Sequence, residues 1–176
     1  VVIGLVIWYL RDRNLNKRPD YITPKYKIKV WYENVYPPSN PERIDTLAYL
    51  LMNEMRKEFP TITVEQMESL FANLKVGFCG DYDSRMYIPT EYKPSELPRG
   101  ALYKFIDGKY WVVCNGIQSR NNLFVRRISS DIGKTALAHE MLHYLLEYLN
   151  IMGGDANHEN GYLWESGMLG RVLKAF

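Results

Sequence analysis

Residues 139–143 read His-Glu-Met-Leu-His, and no other stretch of the chain restricts its fold so tightly. They sit inside an apolar pattern of helical period, so His139 and His143 fall one turn apart on the same helix face. Two imidazoles projecting together from one face suit a single metal ion. Glu140, one residue past the first histidine, is placed to reach a water held by the metal rather than to ligate it. The chain must therefore form a helix here that is anchored in a core and still opens on a site.

The protein has three histidines, and the last, His158, follows closely. A zinc site that does chemistry takes three protein ligands and keeps one position open. A helix over residues 133–150 carries the chain about 10 Å beyond His143 at the α-helical rise. Gly153 and Gly154 permit a sharp reversal. At about 3.3 Å per extended residue, the segment 151–158 is long enough to return to the metal. His158 is thus the expected third ligand of one zinc ion per chain. Glu165, Asp155 and Glu159 stand as alternatives, because a carboxylate completes many such sites.

A chain of 176 residues, 47% hydrophobic, buries one sizeable core and is short for two domains. Its net charge of +2 comes from nearly balanced acids and bases, so electrostatics gives no reason to expect a nucleic-acid partner. Fourteen tyrosines and four tryptophans either line a groove for extended polypeptide or fill strands and helix faces. Cys79 and Cys114 each end a short apolar stretch and pair only if those ends are neighbours. With no CxxC or Cys-His spacing they read as buried thiols rather than metal ligands.

Residues 1–10 are an uninterrupted apolar run closing on Trp8, Tyr9 and Leu10, with Arg11, Arg13, Lys17 and Arg18 directly after. Ten residues do not span a bilayer, which takes about twenty. Interfacial aromatics and a basic flank nevertheless suit the end of a membrane anchor. Association with a membrane, or docking into a larger protein assembly, is expected through residues 1–10, the alternative being a buried terminal strand or helix. This divides the chain into 1–25, the apolar segment and a basic linker, and 26–176, the globular domain.

Residues 26–35 alternate as a half-exposed strand does. Ser39 or Asn40 is the expected cap, with Pro41 in the first turn, of a helix whose apolar positions Ile44, Leu47, Ala48, Leu51 and Met55 recur at helical spacing until Pro60. Thr63 and Gln66 predict a capping box for a second helix. Residues 75–80 read as a strand, and 81–100 as a long irregular connection able to rim the site. Asp107-Gly108 between the apolar runs 102–106 and 109–113 predicts a β-hairpin. Residues 122–128 add a strand before Ser129, Ser130 or Asp131 caps the motif helix. This order of elements gives an α+β fold rather than a wound parallel sheet.

With the motif in this setting, the chain resembles the zincin metallopeptidases over residues 129–165, most strongly at HExxH. It departs from the HExxHxxGxxH form, since position 149 is Leu149. Ser166-Gly167-Met168 is similar to the methionine turn of that group, although a core methionine explains Met168 as well. The resemblance implies a small mixed sheet whose edge strand packs against the motif helix, two helices before it and one after. It also implies that a polypeptide substrate adds to that edge, which residues 109–113 or 122–128 are expected to supply. The activity implied is that of a zinc endopeptidase, with zinc activating water and Glu140 as general base. Tyr162, close in sequence to His158, is the candidate second donor to the tetrahedral oxygen. The alternative is a membrane-linked or assembly-embedded structural or binding protein, its zinc closed off by four ligands such as His158 and Glu165 together.

Overall fold

A computed structural model describes residues 15, 17–97, 99–127 and 131–176. In chain order the elements are β1 (Tyr21–Ile22), β2 (Lys29–Glu33), α1 (Arg43–Glu58), α2 (Val64–Asn73), β3 (Lys75–Cys79), β4 (Tyr87–Thr90), β5 (Tyr103–Ile106), β6 (Lys109–Val113), β7 (Gly116–Ser119), β8 (Asn122–Arg126), α3 (Lys134–Tyr148) and α4 (Met168–Ala175). The fold is mixed α+β. A five-stranded sheet runs β1-β2-β3-β8-β7, and a separate three-stranded sheet runs β4-β6-β5. In the larger sheet β2, β3 and β8 are parallel, while the outer strands β1 and β7 are antiparallel to their neighbours.

Strand alternation divides the core in two. Val76 and Phe78 of β3, with Leu123 and Val125 of β8, face a layer of helices that adds Leu47, Leu51, Phe71, Met141, Leu145 and Leu169. On the opposite face, Cys79 and Phe124 join Trp31, Leu15 and Met86 in a second cluster, and Val113 of the small sheet packs against it. β3 and β8 are therefore covered on both sides, which explains their almost unbroken apolar sequences. α3 lies along β7 and β8 and is braced by α1 and α4.

Thr63 and Gln66 form the expected capping box, each side chain taking the other's backbone N–H. The Asp107-Gly108 hairpin joins β5 to β6, with φ of 50° and 76° at its two central residues. Cys79 and Cys114 are both thiols.

Several expectations need correction. The strands at 109–113 and 122–128 do not supply a substrate edge: β6 lies between β4 and β5, and β8 lies between β3 and β7. Residue 128 itself is outside the described residues. Among the described residues the free edge beside α3 belongs to β7, a strand that the short sequence Gly-Ile-Gln-Ser did not announce. The connection 81–100 is not irregular throughout, for it contains β4, where Pro89 is tolerated because the strand is at a sheet edge. α3 is capped by Gly133 at φ 64°. Asp131 instead accepts the Ile132 N–H and pairs with Arg43, and Ser129 and Ser130 lie outside the described residues. α1 begins at Arg43 behind Glu42, which takes the cap position in place of Ser39 or Asn40. Part of the expected linker is integral to the domain: Leu15 is buried, the Lys17 carbonyl accepts from the Trp31 indole, and β1 pairs with β2. Residues 1–14 lie outside the described residues, and among those described no helix is long and apolar enough to cross a membrane.

Candidate metal centre

α3 presents His139 and His143 one turn apart, and the chain beyond it supplies the third imidazole. After Tyr148 the backbone reverses through Met152–Gly154, with Gly153 at φ 62° and Gly154 at φ 87°. The ligand atoms of His139, His143 and His158 lie within 4.8 Å of one another. His143 Nε2 and His158 Nε2 are 2.9 Å apart. Nitrogens around a tetrahedral zinc sit about 3.3 Å apart given Zn–N bonds of about 2.0–2.1 Å, so small side-chain rotations bring these three into range.

The rings are held from behind. His139 Nδ1 is 2.7 Å from Glu165 Oε1, which leaves its Nε2 for the site. The His143 ring hydrogen-bonds to the Gly154 backbone. Carboxylate and carbonyl partners of this kind fix the tautomer and orientation of ligating histidines. Trp164, almost fully buried, packs its ring 4.8, 4.5 and 4.2 Å from the centroids of His139, His143 and His158. Burial, and then the neighbouring His139 and His158, push the His143 imidazole down to about 4, so it is neutral and competent to ligate near neutral pH.

The loop that brings His158 back is organised by Asp155, whose carboxylate accepts from the backbone N–H groups of Glu159 and Asn160 and from the Trp164 indole at 2.7 Å. Asp155 is therefore committed to shaping the loop. Glu165 is turned to His139, and Glu159 is not among the residues whose ligand atoms converge, which leaves His158 as the residue brought to the pair on α3.

Glu140 sits under the first residues of β7. Arg126 N–H donates to the Asn115 carbonyl, so by alternation Gly116 and Gln118 turn their backbone groups to the free edge. The Gln118 backbone hydrogen-bonds the Glu140 carboxylate, and a Cβ on Gly116 would lie 2.6 Å from Glu140 Cγ. Burial pushes the Glu140 carboxyl up to about 7, against the lowering by His139 and by the Gln118 hydrogen bond. A cleft of about 560 Å³ opens beside this carboxylate, between the start of β7 and the first turns of α3; Gly116, Lys134, Thr135, His139, Glu140 and Glu165 are among its walls. Tyr162 is half exposed, its hydroxyl 4.0 Å from Met152 Sδ, and is not among the cleft residues. Sequence reasoning missed Gly116 and Gln118, which leave no signal in the sequence, and it missed the packing of Trp164 against the three imidazoles; the run Tyr162-Leu163-Trp164 in an otherwise polar loop is the mark Trp164 leaves in the sequence.

Compared with protein-family models, characterised proteins and solved structures, the chain matches none.

Proposed function

We propose that the chain is a zinc metallopeptidase of zincin type, acting on polypeptide. The convergence of His158 on the HExxH pair, with Glu140 beside an open cleft, is the observation that carries this reading. His139, His143 and His158 would hold the ion. Zinc in such a site supplies Lewis acidity, polarising a carbonyl and acidifying water.

The remaining chemistry belongs to the chain. Glu140, buried and raised toward neutrality, accepts a proton from water at its carboxylate and delivers it to the departing amine nitrogen. β7 offers the outward N–H and C=O groups of Gly116 and the C=O of Gln118, whose N–H is held by Glu140, and on these an extended peptide adds as an antiparallel strand. The peptide then passes over Glu140, and an internal position of a chain suits this edge better than a terminus does. Glu165 orients His139. Its engagement there argues against the alternative of a non-catalytic zinc closed by four ligands.

Glu140→Gln tests the proposal. The amide keeps the shape but cannot take a proton, so the variant should bind zinc at wild-type stoichiometry and lose peptidase activity by about 10²-fold or more. Undiminished cleavage of a quenched-fluorescence peptide by that variant would dismiss Glu140 as base. No zinc on the folded wild type, by native mass spectrometry, would dismiss the centre itself.

A further inference from the structure

The small sheet and the segments beside it carry more than half of the exposed large hydrophobic residues among those described. Of thirteen large hydrophobic residues exposed among the described residues, seven lie between 82 and 106. Strand register shows how they are grouped. Ile88 and Tyr103 both pair with Val112, and Phe105 pairs with Tyr110, so these five residues share one face. Phe105 and Tyr103 pack against Tyr110 at ring distances of 4.8 and 6.2 Å. Val113, on the opposite face, points into the seam between the two sheets, so the aromatic face looks away from the rest of the domain.

Three observations identify what covers that face. Leu15 is buried in the same seam, and only four residues separate it from Leu10, the end of the apolar run. At about 3.6 Å per residue at most, Leu10 lies within about 18 Å of Leu15. An apolar medium that takes up residues 1–10 therefore comes within reach of the small sheet, whose Val113 packs against the cluster that holds Leu15. Second, Arg11, Arg13, Lys17 and Arg18 face a single carboxylate, Asp12, over residues 11–18. In a chain of net charge +2 this is a concentrated basic run of sequence, suited to anionic headgroups. Third, tyrosine is a side chain that settles at a membrane–water interface, and the exposed face carries Tyr103 and Tyr110 beside the apolar ring of Phe105.

We propose that the outward face of β4-β6-β5 rests on the headgroup layer of an anionic lipid bilayer. An apolar segment and a basic patch together hold a protein at a membrane where either alone is marginal. The aromatic face adds a third contact and fixes the domain's orientation. The inference is independent of the peptidase reading and survives its failure.

The test uses the full chain with vesicles of phosphatidylcholine alone or with about 30% phosphatidylserine. Binding should be at least about tenfold tighter to the anionic vesicles. Hydrogen exchange at residues 102–106 of the wild type should slow on binding. Tyr103→Ser/Phe105→Ser, with its far-ultraviolet dichroism unchanged, should bind at least about tenfold more weakly. Failure of the wild type to bind overturns the proposal, as does binding with unaltered exchange at 102–106, which would place the contact in residues 1–18 alone. A dimer in solution that the double substitution abolishes would assign the face to a second copy of the chain and overturn it equally. If the double variant misfolds, exchange in the wild type decides.

Discussion

Gly116→Ala isolates the contact between the edge strand and Glu140. Gly116 lies in β7 outside the left-handed region, so its backbone would accept alanine, which in a strand is ordinarily favoured over glycine by about 0.5–1 kcal/mol. Here the added Cβ would meet Glu140 Cγ at 2.6 Å and Oε1 at 2.7 Å. Non-bonded carbons settle at about 3.5–4.0 Å, so the carboxylate must retreat by roughly 1 Å or the strand must move. A catalytic group misplaced by about 1 Å loses roughly 10²-fold in rate, equivalent to about 2.7 kcal/mol of barrier. Zinc content should stay at the wild-type level, because the clash involves no ligand. Stability should fall by about 1–3 kcal/mol through overpacking. That loss should vanish when Gly116→Ala is combined with Glu140→Ala, since the clashing atoms are then gone. The assays are kcat on a quenched-fluorescence peptide, metal analysis, and urea unfolding of the four members of the cycle. Equal destabilisation with and without the Glu140 side chain would refute the contact, and wild-type kcat would show that the carboxylate does not work from this position.

His158→Ala should abolish stoichiometric zinc binding, whereas Glu165→Gln, which only loosens the hold on His139, should weaken it by about 10–100-fold; competition with a chromogenic chelator separates the two, and the reverse order would make Glu165 the ligand. Zinc at about a hundredfold excess over its dissociation constant should stabilise the fold by about 2.7 kcal/mol, or roughly 5–10 °C in Tm for a chain of this size, and calorimetry with and without chelator measures it. Acid stability should depend on Asp83. Burial pushes its carboxyl up, but hydrogen bonds from the Arg85 side chain and backbone outweigh this and hold it below its ordinary value of about 3.9. A depressed folded pKa gives stability that is complete above about pH 4 and lost as pH falls through the folded value. Urea midpoints at pH 6 and about pH 3 should therefore differ less in Arg85→Gln than in the wild type.

What could be read in the sequence was what local chemistry decides. The capping of Val64–Asn73, the Asp107-Gly108 hairpin, the helix under His139 and His143, and the reversal at Gly153-Gly154 each follow from residues close together in the chain. β7 did not, because only Ile117 of its four residues favours a strand, and the strand is held by pairing with β8 through a turn at Arg120, φ 55°, with no glycine to mark it. The choice of edge failed for the same reason: whether a strand is interior depends on partners dozens of residues away. Among the candidate ligands, Asp155 and Glu165 are chemically able to bind metal, and only the folded loop shows that Asp155 is occupied by Trp164 and two backbone N–H groups while Glu165 is turned to His139.

Trp164 touches all three imidazoles, and this makes the centre report on itself optically. Among the described residues this indole is the tryptophan nearest the site, and its emission is sensitive to the charge of a ring packed against it. Charged imidazoles, neutral imidazoles and imidazoles bound to a diamagnetic ion should each give a different yield, while cobalt in place of zinc should darken the indole through its unpaired electrons. Of the other tryptophans, Trp31 and Trp111 belong to the back cluster and the small sheet and supply a constant background, and Trp8 lies outside the described residues. Occupancy can thus be titrated on the unlabelled chain, without a substrate in hand.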